Sequence, residues 1–242
     1  MGSFWSSSSF SSPSPSSFPF PIGSQTAVIV IDLWDRHWDR GAQQRMTTFL
    51  PSTNTFLHRL REAGTIVIHC PADCMAFYQG HPARQRTLVA IKHEPTPIIH
   101  RPSLPPLPIS EGTTHGCDDI PTCPLGQPWM RQNELIDIDS GRDYIGDGTD
   151  ALRLLSHLKI KNVIVTGVHL NICMLDRDYG IRALVSQNLN VVAIVGSLTD
   201  VMYVPSASHG WDRITAIDEM AKFIGLHLCP TITAEAFKFD FI

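Results

Sequence analysis

The chain has 242 residues, 43% of them hydrophobic and 17% charged, with a formal net charge of −4. That suffices for a sizeable core, and with no basic run of five or more it argues against nucleic acid or an anionic membrane as partner. No apolar stretch approaches the ~18 residues that cross a bilayer. Six cysteines in so long a chain do not make a disulfide scaffold, so a cytoplasmic, reducing location is expected.

Residues 1–24 are rich in Ser, Pro and Phe and lack both a positive n-region and a continuous apolar h-region. They read as a disordered tail, not a signal peptide, whose removal through Phe20 should cost little stability. Residues 25–242 read as one domain. Ala27 to Asp32 (AVIVID) is a β-branched apolar run, the pattern of a strand buried on both faces. Phe49, Leu50, Phe56, Leu57 and Leu60 then share one helical face, and Gly64 supplies the stop. Thr65 to His69 is the next strand, so a β-α-β unit with a right-handed crossover is expected.

Residues 71–133 break this rhythm with prolines, histidines, Cys74, Cys117 and Cys123. So long a loop is uncommon inside a domain and suggests an active-site cover or a subunit-contact arm. The pattern resumes with a strand at Glu134 to Ile138 and a helix from Ala151 to Leu158, with Thr149 as its N-cap. A strand follows at Asn162 to Gly167, then a helix from Ile172 to Gln187. A strand at Asn190 to Val195 and a helix near Asp212 to Phe223 complete the series. This alternation predicts an α/β fold with a doubly wound, mostly parallel sheet and helices on both faces.

In such sheets ligands bind beyond the carboxyl ends of the strands. Asp32, Trp34, Asp35 and His37 follow the first strand; His69, Cys70 and Asp73 follow the second. Cys173 opens a helix after the Asn162 strand, where unpaired N–H groups and the helix dipole favour thiolate. Trp34 and His37 are candidate walls of a small, flat pocket, and His209 is a further pocket candidate. Thr199 and Asp200 sit at a strand end, with Asp200 read as a loop or capping group. Cys117 and Cys123 could pair or bind zinc, but without a second ligand pair a rigid loop is the plainer reading.

The segments AVIVIDLW, NVIVTGVHLNICML and NVVAIVGSLTD together resemble the isochorismatase-like cysteine hydrolases, over a core from about Ala27 to Phe223 that excludes the middle insertion. The resemblance implies a Rossmann-like three-layer fold, Cys173 as nucleophile and Asp32 as general base. It implies a non-proline cis peptide at Val168-His169, which directs the amides of His169 and Cys173 at a developing oxyanion. Asn171 in the same turn is a pocket candidate. It further implies a small carboxamide, ureide or lactam substrate, no cofactor, and a homodimer or homotetramer. Asp73 and His81 are similar in type to the metal ligands of nicotinamidases in this superfamily. Their tight D-x-H spacing is absent here, so no metal is expected. The family's lysine is also absent, since the matching stretch around Asp139 and Ser140 contains none. A cation is still needed to lower the Cys173 thiol, and Arg131 is the first choice, followed by Arg142 and Lys92. The missing lysine keeps two alternatives open: a non-covalent isochorismatase-type hydrolase, and a non-catalytic small-molecule binding protein.

Overall fold

A computed structural model of the chain describes residues 19–205 and 209–236. Six strands form one sheet: β1 (Thr26–Ile31), β2 (Ile66–Cys70), β3 (Tyr144–Ile145), β4 (Asn162–Gly167), β5 (Asn190–Val195) and β6 (Thr231–Thr233). Their order is β3-β2-β1-β4-β5-β6 and every neighbouring pair is parallel. The order reverses at β1 and β4, the central pair, which is the switch point where doubly wound sheets bind ligands.

Side chains alternate across the central strands because the strand period is two. Ala27, Ile29, Ile31, Val163, Val165 and Ala193 face one apolar cluster, shared with α3 (Thr149–His157), α5 (Ile181–Val185) and α6 (Arg213–His227). Val28, Val30, Ile164, Val192 and Ile194 face the other, shared with Met46, Phe49, Leu50, Phe56, Leu57 and Leu60 of α1 (Arg40–Glu62). The result is three layers, helix, sheet and helix. Asp39 caps α1, accepting from the Ala42 amide at 2.8 Å, and Gly64 follows its last turn at φ +84°. Among the described residues no helix is long and apolar enough to cross a membrane.

The packed chain begins before residue 25. Phe20 is buried in the α1-side cluster and Thr26 Oγ1 donates to the Pro21 carbonyl at 2.9 Å. The tail expectation for residues 1–18 lies outside the described residues, but removal through Phe20 takes away a core side chain. Phe20→Ala should cost about 3 kcal/mol, read as a fall in melting temperature of roughly 6–12 °C. An unchanged melting temperature would show that the side chain contributes nothing.

Three sequence expectations change. Glu134 to Ile138 is not a strand: the Leu135 amide donates to Asn133 Oδ1 and the Ile136 amide to the Asn133 carbonyl, both at 3.1 Å. Asparagine here offers the backbone a turn that competes with pairing, and β3 takes the sheet edge instead. Thr149 is the first helical residue of α3, not its cap; Gly148 stands in the cap position at φ +55°. The helix expected from Ile172 to Gln187 is two short pieces, α4 (Cys173–Asp176) and α5, separated at Arg177, where ψ is 158°. A Cβ on Gly180 would lie 2.9 Å from both the Arg177 nitrogen and the Met174 oxygen, so the close turn between them requires glycine.

The middle insertion carries α2 (Pro82–Ala90) and a single 3-10 turn at Gly112–Thr114. Ile91 and Ile109 are buried in the cluster shared with α3, α5 and α6, so this insertion packs onto the domain.

Candidate active site

β1 and β4 are in register, with Ile31 opposite Gly167. The two chain ends that follow them therefore emerge side by side. Asp32 comes first after β1 at φ +53°, a left-handed conformation that aspartate tolerates better than most residues. Gly167 ends β4 at φ +132°, and a Cβ there would stand 2.0 Å from the Ile31 carbonyl oxygen. Backbone is what blocks it, so no rotamer change relieves the overlap. Gly167→Ala should abolish soluble expression at 37 °C; recovery of folded protein by circular dichroism at the wild-type melting temperature would contradict this reading.

The Val168-His169 peptide is cis. The turn ends at Cys173, whose thiol stands close enough to the Asp32 carboxylate for each to shift the other's acidity. Asp32 is fully buried. Its Oδ1 accepts from the Ala72 amide and its Oδ2 from Arg177 Nε, each at 2.9 Å. Burial outweighs these partners and raises its carboxyl to about 6, so it is mostly ionised at neutral pH. Burial and the neighbouring Asp32 charge push the Cys173 thiol far up, against the Arg177 charge and the His169 amide, which lower it. The resting group is thus a thiol. Thiolate is disfavoured because α4 has only four residues, too short to present much dipole, and because desolvation penalises the anion.

The cation beside Asp32 is Arg177, in place of the three expected from the sequence. Its guanidinium also lies 5.9 Å from the Trp34 ring centroid. Arg177 stands four residues after Cys173, a spacing that shares a helical face. That regularity was the available signal, although the chain leaves the helix just there. The three residues put forward for the role lie elsewhere. Arg131 pairs with Glu134 at 3.2 Å and stands over the Phe77 ring at 5.7 Å. Arg142 pairs with Asp139 at 2.8 Å, and Lys92 is exposed beyond α2.

A cleft of about 280 Å³ opens over the thiol. Cys173, Arg177 and His169 line it, as do the stacked rings of Trp34 and Trp129, with centroids 4.1 Å apart, and His37 beside them. Burial lowers both imidazoles, His37 and more strongly His169, so both are neutral at pH 7. Glu111, His115, Leu125 and Gln127 of the insertion also line it. Asp73 also lines the cleft, whereas His81 caps α2 and His209 stacks on Trp211 outside the lining.

Asn171 does not line it. Its amide is spent on the neighbouring loop: Nδ2 donates to the Met202 carbonyl at 2.9 Å and Oδ1 accepts from the Met202 amide at 3.0 Å. Asp35 accepts from the amides of Met130 and Arg131, which holds Trp129 against Trp34. Asp200 is buried in an ion pair with Arg45 at 2.8 Å, with Arg213 3.7 Å away, and so joins α1 to α6.

A parallel six-stranded sheet in this order between two helical layers is a doubly wound three-layer α/β fold. No family model and no curated protein matches the sequence. Solved structures do match. A cysteine hydrolase from Pseudomonas syringae pv. phaseolicola superposes with a TM-score of 0.54 at 16% identity, over 89% of this chain and 92% of that one. An isochorismatase family protein superposes at 0.51 and 11% identity, over 86% and 98%. At such identities the likeness establishes the shared fold.

Proposed function

We propose that the protein is a hydrolase that cleaves a carbon–nitrogen bond of a small carboxamide, ureide or lactam. The convergence of the Cys173 thiol and the Arg177 guanidinium in the lining of one cleft, with the buried Asp32 carboxylate behind them 2.9 Å from Arg177, carries this reading. The cleft is near the lower end of ordinary ligand pockets, ~300–1,000 Å³, which suits a small substrate whose flat group lies along Trp34.

Because the thiol is protonated at rest, Cys173 attacks as its proton passes to Asp32. The sulfur bonds to the carbonyl carbon, and the amides of His169 and Cys173 receive the oxyanion. Asp32, now protonated, gives that proton to the departing nitrogen as the C–N bond breaks. Water then attacks the thioester, losing a proton to Asp32. The C–S bond breaks, and the proton returns to sulfur. Arg177 stays charged throughout, since the Asp32 charge raises its pKa against the effect of burial. It holds Asp32 in place and does not exchange protons, which is where it departs from a lysine.

A panel of small amides, ureides and lactams tests this by mass spectrometry of the Cys173 peptide. A substrate-derived adduct, absent in Cys173→Ala, is expected. Undiminished turnover in Cys173→Ala would move the reading to non-covalent hydrolysis, and binding without turnover to a binding protein. For any substrate found, kcat/KM should fall on the acid side with a midpoint near pH 6, where Asp32 takes up its proton and can no longer act as base. A profile flat from pH 5 to 8 would remove Asp32 from that role.

A further inference from the structure

We propose that Cys117, Asp119 and Cys123 bind a thiophilic divalent cation, zinc in the first instance, and so fasten the insertion to the first turn of α1. The three ligand atoms all lie within 4.8 Å of one another. Asp119 Oδ2 stands 3.1 Å from Cys123 Sγ and 4.0 Å from Cys117 Sγ. Tetrahedral zinc, with Zn–S ~2.3 Å and Zn–O ~2.0–2.2 Å, sets its sulfur and oxygen ligands ~3.5 Å apart. The observed separations bracket that value.

Both sulfurs accept backbone N–H groups: Cys123 Sγ from the Arg40 amide and Cys117 Sγ from the Cys123 amide, each at 3.4 Å. Asp119 Oδ2 accepts from the Gly41 amide at 3.1 Å. Backbone donors aimed at the sulfurs and at the carboxylate orient them, as outer-shell partners of metal ligands do. Cys117 and Cys123 are both buried and both free thiols. The Arg40 guanidinium, 3.8 Å from Asp119, is 58% exposed and can withdraw into solvent. Binding exchanges two thiol protons for one cation and leaves oxidation states unchanged. With three protein ligands, the fourth position falls to water on the solvent side of half-buried Asp119.

The consequence lies in position. Glu111 and His115 precede this cluster, while Leu125, Gln127 and Trp129 follow it, and all five line the cleft. A cation here joins the two halves of the cover to Arg40 and Gly41, just after His37 and Trp38. The site stands whether or not Cys173 is a nucleophile.

The test is cobalt(II) titration of the full-length, reduced protein, with zinc counted by elemental analysis. One equivalent of Co(II) should give a sulfur-to-cobalt charge-transfer band that Zn(II) displaces. The band should persist in Cys173→Ala and disappear in the Cys117→Ser, Cys123→Ser double variant. Asp119→Asn, which keeps side-chain shape, should retain the band and weaken affinity about 10- to 100-fold, the scale of metal-site losses. Absence of the band in wild type overturns the proposal. So does its survival in the double variant, or a Cys117–Cys123 disulfide in the metal-free protein that excludes cobalt. If the double variant does not fold by circular dichroism, wild-type stoichiometry and the Asp119→Asn affinity decide.

Discussion

Arg177→Gln should slow iodoacetamide labelling of Cys173 at least 10-fold between pH 8 and 10, while Arg177→Lys loses much less. The carboxylate and the thiol share this one cation. An opposite charge within ~4–6 Å typically lowers an acid's pKa by ~1–3, and below its pKa a thiol reacts in proportion to its thiolate fraction. A thiol made ten times weaker as an acid therefore labels about ten times more slowly. Removing the guanidinium also raises Asp32 above about 6, so the acid limb of kcat/KM should move to higher pH in the same variant. Asp32→Asn should act oppositely on labelling, because it removes the anion that opposes thiolate formation. Peptide-resolved mass spectrometry separates Cys173 from the other five cysteines. Equal labelling rates in wild type and Arg177→Gln would dismiss Arg177 as the site's cation.

Asp143→Ala should destabilise the fold by about 3–5 kcal/mol, the cost of stranding a buried charge, or a melting temperature lower by roughly 10 °C. Asp143 is buried just before β3, where it meets Arg61 of α1 at 2.6 Å and His69 of β2 at 3.0 Å. The Asp139 amide donates to the same carboxylate at 2.8 Å. His69 in turn contacts Gln132 Oε1 at 3.0 Å. The group thus ties α1, β2 and the segment that follows the insertion. Burial alone would raise the Asp143 carboxyl, but the hydrogen bonds from His69 and Arg61 outweigh it and hold it well below the usual range. A depressed carboxyl contributes stability that is complete above its unfolded pKa of ~4 and fades as pH falls towards the folded value. Wild type should therefore lose stability on acidification below pH 5, and Asp143→Ala should lose less over that interval. A loss under 1 kcal/mol, or identical acid slopes, would show that solvent reaches the cluster and screens it.

The reach of sequence reasoning followed the range of the interactions involved. β1, β4 and β5 were legible almost to the residue because a strand buried on both faces must be apolar throughout. Asp32 and Cys173 were legible because parallel strands deliver whatever follows them to one edge. Short-range competition misled at Asn133, whose side chain turns the chain where hydrophobicity suggested a strand. Asn171 misled because a buried amide needs partners, and Met202, distant in sequence, supplied them. β6, with three residues, was too short to leave a periodic signal.

The deepest difference concerns charge. Composition and pattern specified a doubly wound sheet, its switch point and the two groups that meet there. Neither could specify the protonation state of those groups or the cation between them. Thiol and carboxylate pKa values depend on desolvation, which exists only once the cleft has closed around them. Arg177 reaches Asp32 because Gly180 lets the chain turn back before α5 begins, a contact between residues 145 positions apart. Arg131, Arg142 and Lys92 carry the same charge, but folding places them outside that enclosure, where solvent screens what they could contribute.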